Sequence, residues 1–338
     1  MSTGSLNFVA PSISAFREVG GGTASPTLAT SGGSTFLVIG SSFGPVASGA
    51  GGHITFTYKS GAYDASLCNV TTADTTITCV GAPGTGAGLS GVVTVDSQSS
   101  PTSTATLSYA SPVISTVSSG IGATTGSQAF TVTGTSFGPV GGDPISVLYG
   151  PAAAASRYTA ASCSVTVADT TVSCTSVPGV GTDLHFSISI SSQTSPVFPT
   201  SERYTAPSIT GAEVAGIGVS DFPTSGSNAF VRLTGNNFGP LSGVSTYVSG
   251  SYGPIGAESR FSLLLSSCNV SVAHTEIMCA VGEGYGTGFS WAVTVESQVS
   301  PVFASSLGYR APSISSVSSS ESGNRMATNG GSTITIVG

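Results

Sequence analysis

The stretch that decides the fold is Cys68-Asn69-Val70-Thr71-Thr72-Ala73-Asp74-Thr75-Thr76-Ile77-Thr78-Cys79, and related stretches run from 163 to 174 and from 268 to 279. If its two cysteines face each other across a β-hairpin, the midpoint lies between Ala73 and Asp74. A two- or four-residue loop there would leave both cysteines on one face of the hairpin. Asp74 suits a turn because its carboxylate can accept hydrogen bonds from nearby backbone N–H groups.

The six cysteines form three pairs, and the partners in each pair are 11 positions apart. An even number of cysteines at a fixed local spacing indicates disulfides, which are typical of secreted and cell-surface proteins. Zinc is the alternative, but zinc ligands come in closer sets with histidines nearby, and only His274 lies between two paired cysteines. The predicted disulfides are Cys68–Cys79, Cys163–Cys174 and Cys268–Cys279.

Three further motifs recur with the cysteines in a constant order. Pro-x-Ile comes first, and an apolar run that ends in glycine follows it. Phe-Gly-Pro comes next, at 43–45, 137–139 and 238–240, and the cysteine pair follows. Ser-Gln-x-Ser-Pro and a closing aromatic strand complete each copy. The whole chain is therefore an internal repeat of about 100 residues.

The repeat divides the chain into three complete units and two end pieces. We predict the last strand of a preceding domain at 1–10, complete domains at 11–110, 112–206 and 207–310, and the first strands of a following domain at 312–338. Such end pieces are expected if this sequence is one part of a longer tandem array. Only two residues separate Tyr109 from Pro112, and the other joints are as short. Because proline restricts its own backbone and that of the preceding residue, we expect a head-to-tail rod.

Each unit has the pattern of a β domain. Apolar and polar residues alternate over Ile54–Tyr58, and Val92–Val95 is a continuous β-branched run. Glycine and proline interrupt these runs about every ten residues. About 100 residues with around seven strands is the size of an immunoglobulin-like sandwich.

Composition excludes several classes of protein. The chain has 338 residues, of which 7% are charged, and its net charge is −7. Scattered arginines and one lysine, Lys59, provide no basic stripe, so we expect no nucleic-acid partner. The longest unbroken apolar run, Ile277–Val281, is five residues, far below the ~20 that a membrane helix needs. We therefore expect no membrane span in this chain.

The motifs together resemble those of a known family. In the first unit the matching residues are Pro11-Ser12-Ile13, Gly32-Gly33-Ser34-Thr35, Val38-Ile39-Gly40-Ser41-Ser42-Phe43-Gly44, Cys68-Asn69-Val70, Ile77-Thr78-Cys79, Val93-Thr94-Val95 and Tyr109. Each unit is similar to an IPT/TIG domain, an immunoglobulin-like fold of plexins, bacterial surface proteins and some transcription factors. The resemblance implies an all-β chain of tandem immunoglobulin-like β-sandwich domains. The cysteine pair resembles the extracellular branch of the family.

The sequence contains no pattern typical of catalysis, and we expect neither an enzyme nor a cofactor. Asp183 and His185 share one face of a predicted strand, but nothing marks a nucleophile beside them. Asp74 and Asp169 could bind calcium instead of forming turns, although the third unit has His274 at that position. Phe289 and Trp291 are expected in the core, with an exposed carbohydrate platform as the alternative.

Covalent glycans are the one chemical modification that the sequence indicates. Asn69-Val70-Thr71 and Asn269-Val270-Ser271 are N-glycosylation acceptors at equivalent positions, directly after a cysteine. Because strand residues alternate between faces, a buried cysteine would point Asn69 and Asn269 outward. The 62 serines and 42 threonines could also carry O-glycans, or could simply cover the sheets.

These observations predict a structural extracellular protein: a rod or fibril of tandem domains, stapled by disulfides, glycosylated and self-associating, without catalysis. The alternative is the ectodomain stalk of a cell-surface receptor or adhesin whose binding tip lies outside this sequence. In either case the expected location is extracellular or at the cell surface.

Overall fold

The computed structural model describes residues 8–20, 22, 25–46, 53–118, 121–216, 221–241, 247–263 and 265–338. Most of the strand predicted at 1–10 lies outside the described residues. The chain divides into two compact units, 1–205 and 206–338. Unit 1 contains two β-sandwiches, and unit 2 contains a third sandwich followed by a hairpin.

The described residues of the first sandwich form nine short strands. They are β1 (Ser12–Glu18), β2 (Thr27–Leu28), β3 (Thr35–Ser41), β4 (Ile54–Tyr58), β5 (Tyr63–Thr72), β6 (Thr76–Val80), β7 (Gly91–Val95), β8 (Gln98–Ser99) and β9 (Ser108–Tyr109). In β3 the apolar residues Phe36 and Val38 are fully buried while Thr35 is exposed, so the alternation of the sequence sets the inner face.

The strand β5 connects the two sheets of the first sandwich. Its second half pairs with β6, which continues through β3 to β1, and its first half pairs with β4, which continues through β7 to β8. These pairs are antiparallel, and β2 joins β9 in a short parallel pair. The register places Phe36 opposite Cys79 in one sheet and Phe56 opposite Val93 in the other.

The second sandwich repeats this plan with two separate sheets. Its strands are β10 (Val113–Val117), β11 (Ala129–Thr135), β12 (Ile145–Pro151), β13 (Tyr158–Thr159), β14 (Ala161–Val167), β15 (Thr171–Thr175), β16 (Leu184–Ile190), β17 (Gln193–Thr194) and β18 (Phe198–Glu202). One sheet has the order β10-β11-β15-β14 and the other β13-β12-β16-β17, with β18 also on β16. A three-residue 3₁₀ turn, Ala152–Ala154, follows β12.

Unit 2 begins with the third sandwich. Its strands are β19 (Ser208–Ala215), β20 (Phe230–Asn236), β21 (Val248–Pro254), β22 (Phe261–Leu263), β23 (Cys268–Val272), β24 (Glu276–Ala280), β25 (Phe289–Val295), β26 (Gln298–Val299) and β27 (Phe303–Ala304). The sheets have the orders β19-β20-β24-β23 and β22-β21-β25-β26. A short 3₁₀ turn, Leu265–Ser267, precedes β23.

After the third sandwich, β28 (Ser316–Ser319) and β29 (Ile334–Val337) form an antiparallel hairpin. Ile334 and Ile336 are exposed. Their sequence counterparts in the first sandwich, Phe36 and Val38, are fully buried. The domain limits predicted from the repeat, including those at 312–338, stay predictions.

The chain is therefore all-β, with tandem immunoglobulin-like β-sandwiches, as the sequence predicts. Unit 1 has two separate hydrophobic cores, one drawn from residues between Ile13 and Tyr109 and one from residues between Ile114 and Tyr204. No helix among the residues that the structure describes is long and apolar enough to cross a membrane.

Candidate functional site: the joint between the first two sandwiches

All six cysteines are bonded in the predicted pairs. Each disulfide joins neighbouring antiparallel strands, with Cα atoms 4.1 to 4.2 Å apart. Cys268 lies directly opposite Cys279 in the ladder of β23 and β24. A disulfide in each sandwich is typical of extracellular proteins, because cytosolic reductants keep thiols free.

The loop of the cysteine hairpin differs from the prediction of two or four residues. β5 ends at Thr72 and β6 begins at Thr76, which leaves a three-residue loop. The register shifts between Val70 and Thr72, so an extra residue on β5 compensates for the odd loop length. Asp74 occupies the left-handed region with φ of +61°, a conformation that aspartate tolerates better than most residues.

The turn aspartate contacts a distant segment, not its own neighbours. The N–H of Gly44 in Phe43-Gly44-Pro45 donates to Asp74 Oδ1 at 3.1 Å. Backbone bonds from Asp74 N to Gly44 O (2.8 Å) and from Phe43 N to Asp74 O (3.2 Å) complete the contact. The second sandwich repeats it between Asp169 and Gly138. The hairpin turn therefore holds the Phe-Gly-Pro motif in place.

The alternative roles of these side chains receive no support from the geometry. In the described part of the chain, no group of three or more His, Cys, Asp or Glu side chains could hold a metal ion. Asp183 Oδ1 lies 3.5 Å from His185 Nε2, which is buried without a hydrogen-bond partner. Phe289 and Trp291 are fully buried, so they are core residues and not a carbohydrate platform.

The two predicted glycosylation sites differ in exposure. Asn69 is exposed and its neighbour Val70 is buried, as alternation along β5 requires. Asn269 is only half-buried, and the hydroxyl of Ser271 donates to Glu276 Oε1 at 2.7 Å. The Asn69 site is thus the more open of the two.

A buried pair of tyrosines closes the end of each sandwich that lies opposite Phe-Gly-Pro. The hydroxyls of Tyr58 and Tyr109 are 2.6 Å apart, and Tyr109 donates to the carbonyl of Ala82 at 2.7 Å. The N–H of Ala82 donates to Tyr58 Oη at 3.0 Å, so both phenols are satisfied. Equivalent pairs are Tyr149–Tyr204 and Tyr252–Tyr309. Burial raises the pKa of both Tyr58 and Tyr109.

Glycine is required where the loop of the first sandwich crosses this tyrosine pair. A Cβ on Gly84 would lie 2.6 Å from the Tyr63 ring and 2.8 Å from the Tyr109 hydroxyl. The Gly84 and Thr85 backbone therefore runs close against the rings, and this brings Thr85 to the surface that meets the second sandwich.

The chain's single lysine lies at the joint between the two sandwiches of unit 1. Lys59 Nζ is 2.5 Å from Asp143 Oδ2 and 3.0 Å from Tyr63 Oη. The same carboxylate oxygen accepts hydrogen bonds from Tyr63 (3.0 Å), Ser191 (2.7 Å) and Thr85. Both charged side chains are about three-quarters buried, with 24% and 25% of their surface exposed. Two charged and three neutral side chains thus meet at this carboxylate.

Two further contacts connect the same surfaces. Thr30 Oγ1 donates to Asp169 Oδ1 at 2.5 Å, so the turn carboxylate that holds Gly138 also crosses the joint. Gly138 packs against Thr85, since a Cβ there would lie 2.4 Å from Thr85 Cγ2.

Gln193 holds the short linker between the sandwiches. Its amide nitrogen donates to the carbonyl of Tyr109 at 2.9 Å, and its oxygen accepts from the N–H of Gly86 at 3.1 Å. The linker and the joint surfaces are therefore connected through one side chain of the Ser-Gln-x-Ser-Pro motif.

The charges at the joint stabilise each other. Burial by itself raises the pKa of the Asp143 carboxyl, but hydrogen bonds from Lys59, Thr85, Ser191 and Tyr63 hold it well below its ordinary value. Burial by itself lowers the pKa of Lys59, but its hydrogen bonds to Asp143 and Tyr63 outweigh that effect and raise it. Both groups are consequently charged across the physiological pH range.

The repeat pattern does not indicate this joint. Phe-Gly-Pro, the cysteine pairs and Ser-Gln-x-Ser-Pro recur in every complete unit, whereas Lys59 and Asp143 do not. A usable signal was the presence of one lysine in 338 residues. Its partner lies 84 residues away, and only the fold brings the two together.

Comparisons with known proteins find likenesses at the level of structure only. No protein-family profile matches the sequence, and no curated protein matches it. The extracellular region of plexin A4 is 15% identical, with 83% of this chain and 22% of that chain covered and a TM-score of 0.25. A surface glycan-binding protein from Prevotella bryantii is 13% identical, with 68% and 54% covered and a TM-score of 0.38.

Invasin, a bacterial integrin-binding protein, is 12% identical, with 87% of this chain and 60% of that chain covered and a TM-score of 0.25. The chain thus spans less than two thirds of the length of each of these three proteins. At such identities and scores the likeness carries no argument about function.

Proposed function

We propose that the chain is a structural extracellular protein, a rod or fibril of tandem IPT/TIG-like domains that has no catalytic role. The observation that carries this proposal is the polar joint of unit 1. Lys59, Asp143, Thr85 and Gln193 there bind one sandwich to the next across a linker of two residues. A joint held by so many directed bonds resists bending, as a rod that carries tension or sets a fixed length requires.

The assignment to IPT/TIG-like domains is supported by the contact between Phe-Gly-Pro and the cysteine hairpin. In the third sandwich the N–H of Phe238 donates to the carbonyl of His274 at 3.1 Å, as Phe43 donates to Asp74. Two of the motifs that carry the sequence resemblance, Phe-Gly-Pro and the cysteine hairpin, are thus in contact in all three sandwiches. This contact gives a structural reason for the two motifs to occur together.

We further propose covalent glycans, with Asn69 as the better N-linked acceptor. Asn69 is exposed on the outer face of β5, whereas Asn269 is half-buried beside a serine hydroxyl engaged by Glu276. Glycans would supply solubility to a chain in which only 7% of all residues are charged. Exposed serines and threonines of the sheets would act as O-linked acceptors as well.

Electron microscopy of the purified native material tests the fibril. Regular filaments whose axial repeat equals a whole number of domains are expected. Dispersed particles without filaments would remove the fibril and favour the second candidate, an ectodomain stalk of a receptor or adhesin. The many bonds of the joint serve a stalk equally well, so this imaging decides between them.

Intact mass before and after enzymatic deglycosylation tests the glycans. A mass loss is expected in the native protein, and Asn69→Gln is expected to remove more of it than Asn269→Gln. Ser164→Asn is a matched control, since it completes an acceptor at the equivalent exposed position of the second sandwich. An unchanged native mass would eliminate the N-linked part of the proposal.

A further inference from the structure

Every sandwich carries a positive charge over an aromatic ring at the end that its buried tyrosine pair closes. We call this the tyrosine end, and the end that carries Phe-Gly-Pro the motif end. In the first sandwich Lys59 Nζ lies 4.8 Å from the centre of the Tyr63 ring. The guanidinium groups of the other two sandwiches lie 5.4 and 5.7 Å from their rings, in the pairs Arg157–Tyr158 and Arg260–Phe261. A cation is therefore a repeated feature of the tyrosine end.

In unit 1 the motif end of the second sandwich receives the tyrosine end of the first. Lys59 Nζ lies 3.3 Å from Ser191 Oγ as well as 2.5 Å from Asp143. Thr30 donates to Asp169 at the same joint. The position of Ser191 is thus within reach of a cation that arrives from a tyrosine end.

The motif end of the first sandwich has the same parts, but they are open. Gly44 and Asp74 form the contact that Gly138 and Asp169 form in the second sandwich. Asp74 is exposed where Asp169 is half-buried, and Gly44 is half-buried where Gly138 is buried. A receiving surface is therefore present on the first sandwich, without the cover that its counterpart has.

The linker contact recurs at this open end too. Gln98 Nε2 donates to the carbonyl of Phe8 at 3.2 Å, as Gln193 donates to that of Tyr109. Phe8 precedes Pro11 by three positions, and Tyr109 precedes Pro112 by three. Phe8 is nevertheless 92% exposed, whereas Tyr109 is 1% exposed. The place of a closing tyrosine is thus held here by an uncovered aromatic ring.

A carboxylate lies on the open surface at the position of Ser191. Asp96 and Ser191 both precede Ser-Gln, and both have a left-handed backbone, with φ of +44° and +46°. The Asp96 side chain is 70% exposed and contacts the ring of His53. Because Ser191 lies within reach of Lys59, Asp96 is placed where the cation of a tyrosine end would arrive.

The same surface holds a depression of about 770 Å³, a size typical of binding sites. Its walls are mainly apolar, and they include Phe8, Phe43, Pro45, Ile54 and Val95, with Asp74 and Asp96 beside them. At the corresponding place on the second sandwich, Thr85 of its neighbour packs against Gly138. A loop of similar size would fit the depression.

We propose that the motif end of the first sandwich is a docking surface for the tyrosine end of another sandwich of this repeat. The incoming cation pairs with Asp96, a hydroxyl at the place of Thr30 bonds to Asp74, and the loop beside the tyrosines fills the depression. Opposite charges on the two surfaces and their equivalence to the joint of unit 1 identify the occupant. This inference rests on the proposed rod and names a surface by which a further sandwich joins it.

A lengthened full chain tests the docking. A second copy of residues 112–204 is placed directly before Val9, so that Tyr204 takes the place of Phe8 and two residues again separate it from proline. The added sandwich presents Arg157 to Asp96, and the peptides that contain Gly44 stay unique in the chain. The measurement is the rate of amide hydrogen exchange at Gly44, with the 338-residue chain as the reference.

We expect exchange at Gly44 to be several-fold slower in the lengthened chain, because docking covers the contact between Gly44 and Asp74. Arg157→Glu in the added copy keeps the tether and should return the rate to that of the reference. Asp96→Arg combined with it restores opposite charges and should slow exchange again. An unchanged rate at Gly44, or a slowing that ignores both charge reversals, would overturn the proposal.

A second lengthened chain covers the case in which the added copy does not fold. It carries residues 11–109 before Val9, with Val46→Ile in the added copy to distinguish its Gly44 peptides by mass. Only the Gly44 behind the new joint should be slowed, and equal rates for both copies would contradict the docking. Filament imaging is a separate outcome: filaments with unslowed Gly44 would keep the fibril and remove this surface, and slowed Gly44 without filaments would do the reverse.

Discussion

Tyr58 and Lys59 are neighbours in the sequence, but they belong to two different kinds of buried polar contact. Tyr58 is 1% exposed and bonds to Tyr109 inside its own sandwich, and the same pair recurs in all three sandwiches. Lys59 lies at the end of the same sandwich and bonds across the joint to Asp143 of the next one. The repeated contact builds each sandwich, and the unrepeated one joins two of them. A repeat protein can thus keep its fold while each joint changes.

The largest effect is expected from removing a member of the repeated contact. Tyr109→Ala should destabilise the first sandwich by about 3–5 kcal/mol, because it deletes a fully buried ring together with the hydroxyl that bonds to Tyr58 and to the Ala82 carbonyl. The rate of amide hydrogen exchange at Val93, in the core of the first sandwich, measures this loss of stability. Trp291 is the only tryptophan and is buried in the third sandwich, so its unchanged fluorescence is the internal control. Unchanged exchange at Val93 would contradict a structural role for the pair.

A smaller and differently placed effect is expected at the joint. Asp143→Ala should weaken it by about 1.5–3 kcal/mol, since it removes charge-assisted hydrogen bonds from a pair that is about a quarter exposed. Exchange at the Gly86 amide, which bonds to Gln193 across the joint, should become faster. Exchange at Val93 in the core should stay as in the wild type. Equal increases in the exchange rates of the Gly86 and Val93 amides would contradict this, since they would mean that the joint and the sandwich open together.

Low pH should weaken the joint as Asp143→Ala does, but reversibly. The pKa of Asp143 is depressed in the folded protein, so its contribution is complete above the ordinary aspartate pKa of about 3.9 and is lost as pH falls through the folded pKa. The pKa of Lys59 is raised, so its contribution is complete below about 10.4 and is lost as pH rises beyond that. Gly86 exchange, corrected for its intrinsic pH dependence, should be constant from pH 5 to 9 on these values. The Asp143→Ala variant should show no additional opening below pH 4.

The smallest effect is expected at the turn aspartates. Asp74→Ala should cost about 0.5–1.5 kcal/mol, the value of one hydrogen bond to the Gly44 amide. Asp169→Ala should cost more, because its carboxylate also accepts from Thr30 across the joint. Urea unfolding of the two variants, followed by circular dichroism, gives the difference. Equal costs would mean that the Thr30 contact contributes nothing to stability.

The sequence alone determined the parts of this protein that depend on local pattern and on repetition. Alternation placed Phe36 and Val38 inside, and the fixed spacing of 11 paired Cys68 with Cys79, Cys163 with Cys174 and Cys268 with Cys279. Burial of Phe289 and Trp291 followed from their place in an apolar strand. These outcomes were predictable because side-chain periodicity and cysteine spacing act over a few residues and recur three times.

Only the tertiary structure decided the loop length at Asp74, the partner of that aspartate and the existence of the joint. The three-residue loop depends on a compensating bulge at Val70–Thr72, which no residue type signals. Asp74 bonds to Gly44, 30 residues away, and Lys59 to Asp143, 84 residues away. Such contacts depend on how sheets and sandwiches pack, since a charge gains a partner only where the fold brings one within hydrogen-bonding distance and excludes water. The low charge of the chain follows from its sequence, but the use of its one lysine was fixed by the fold.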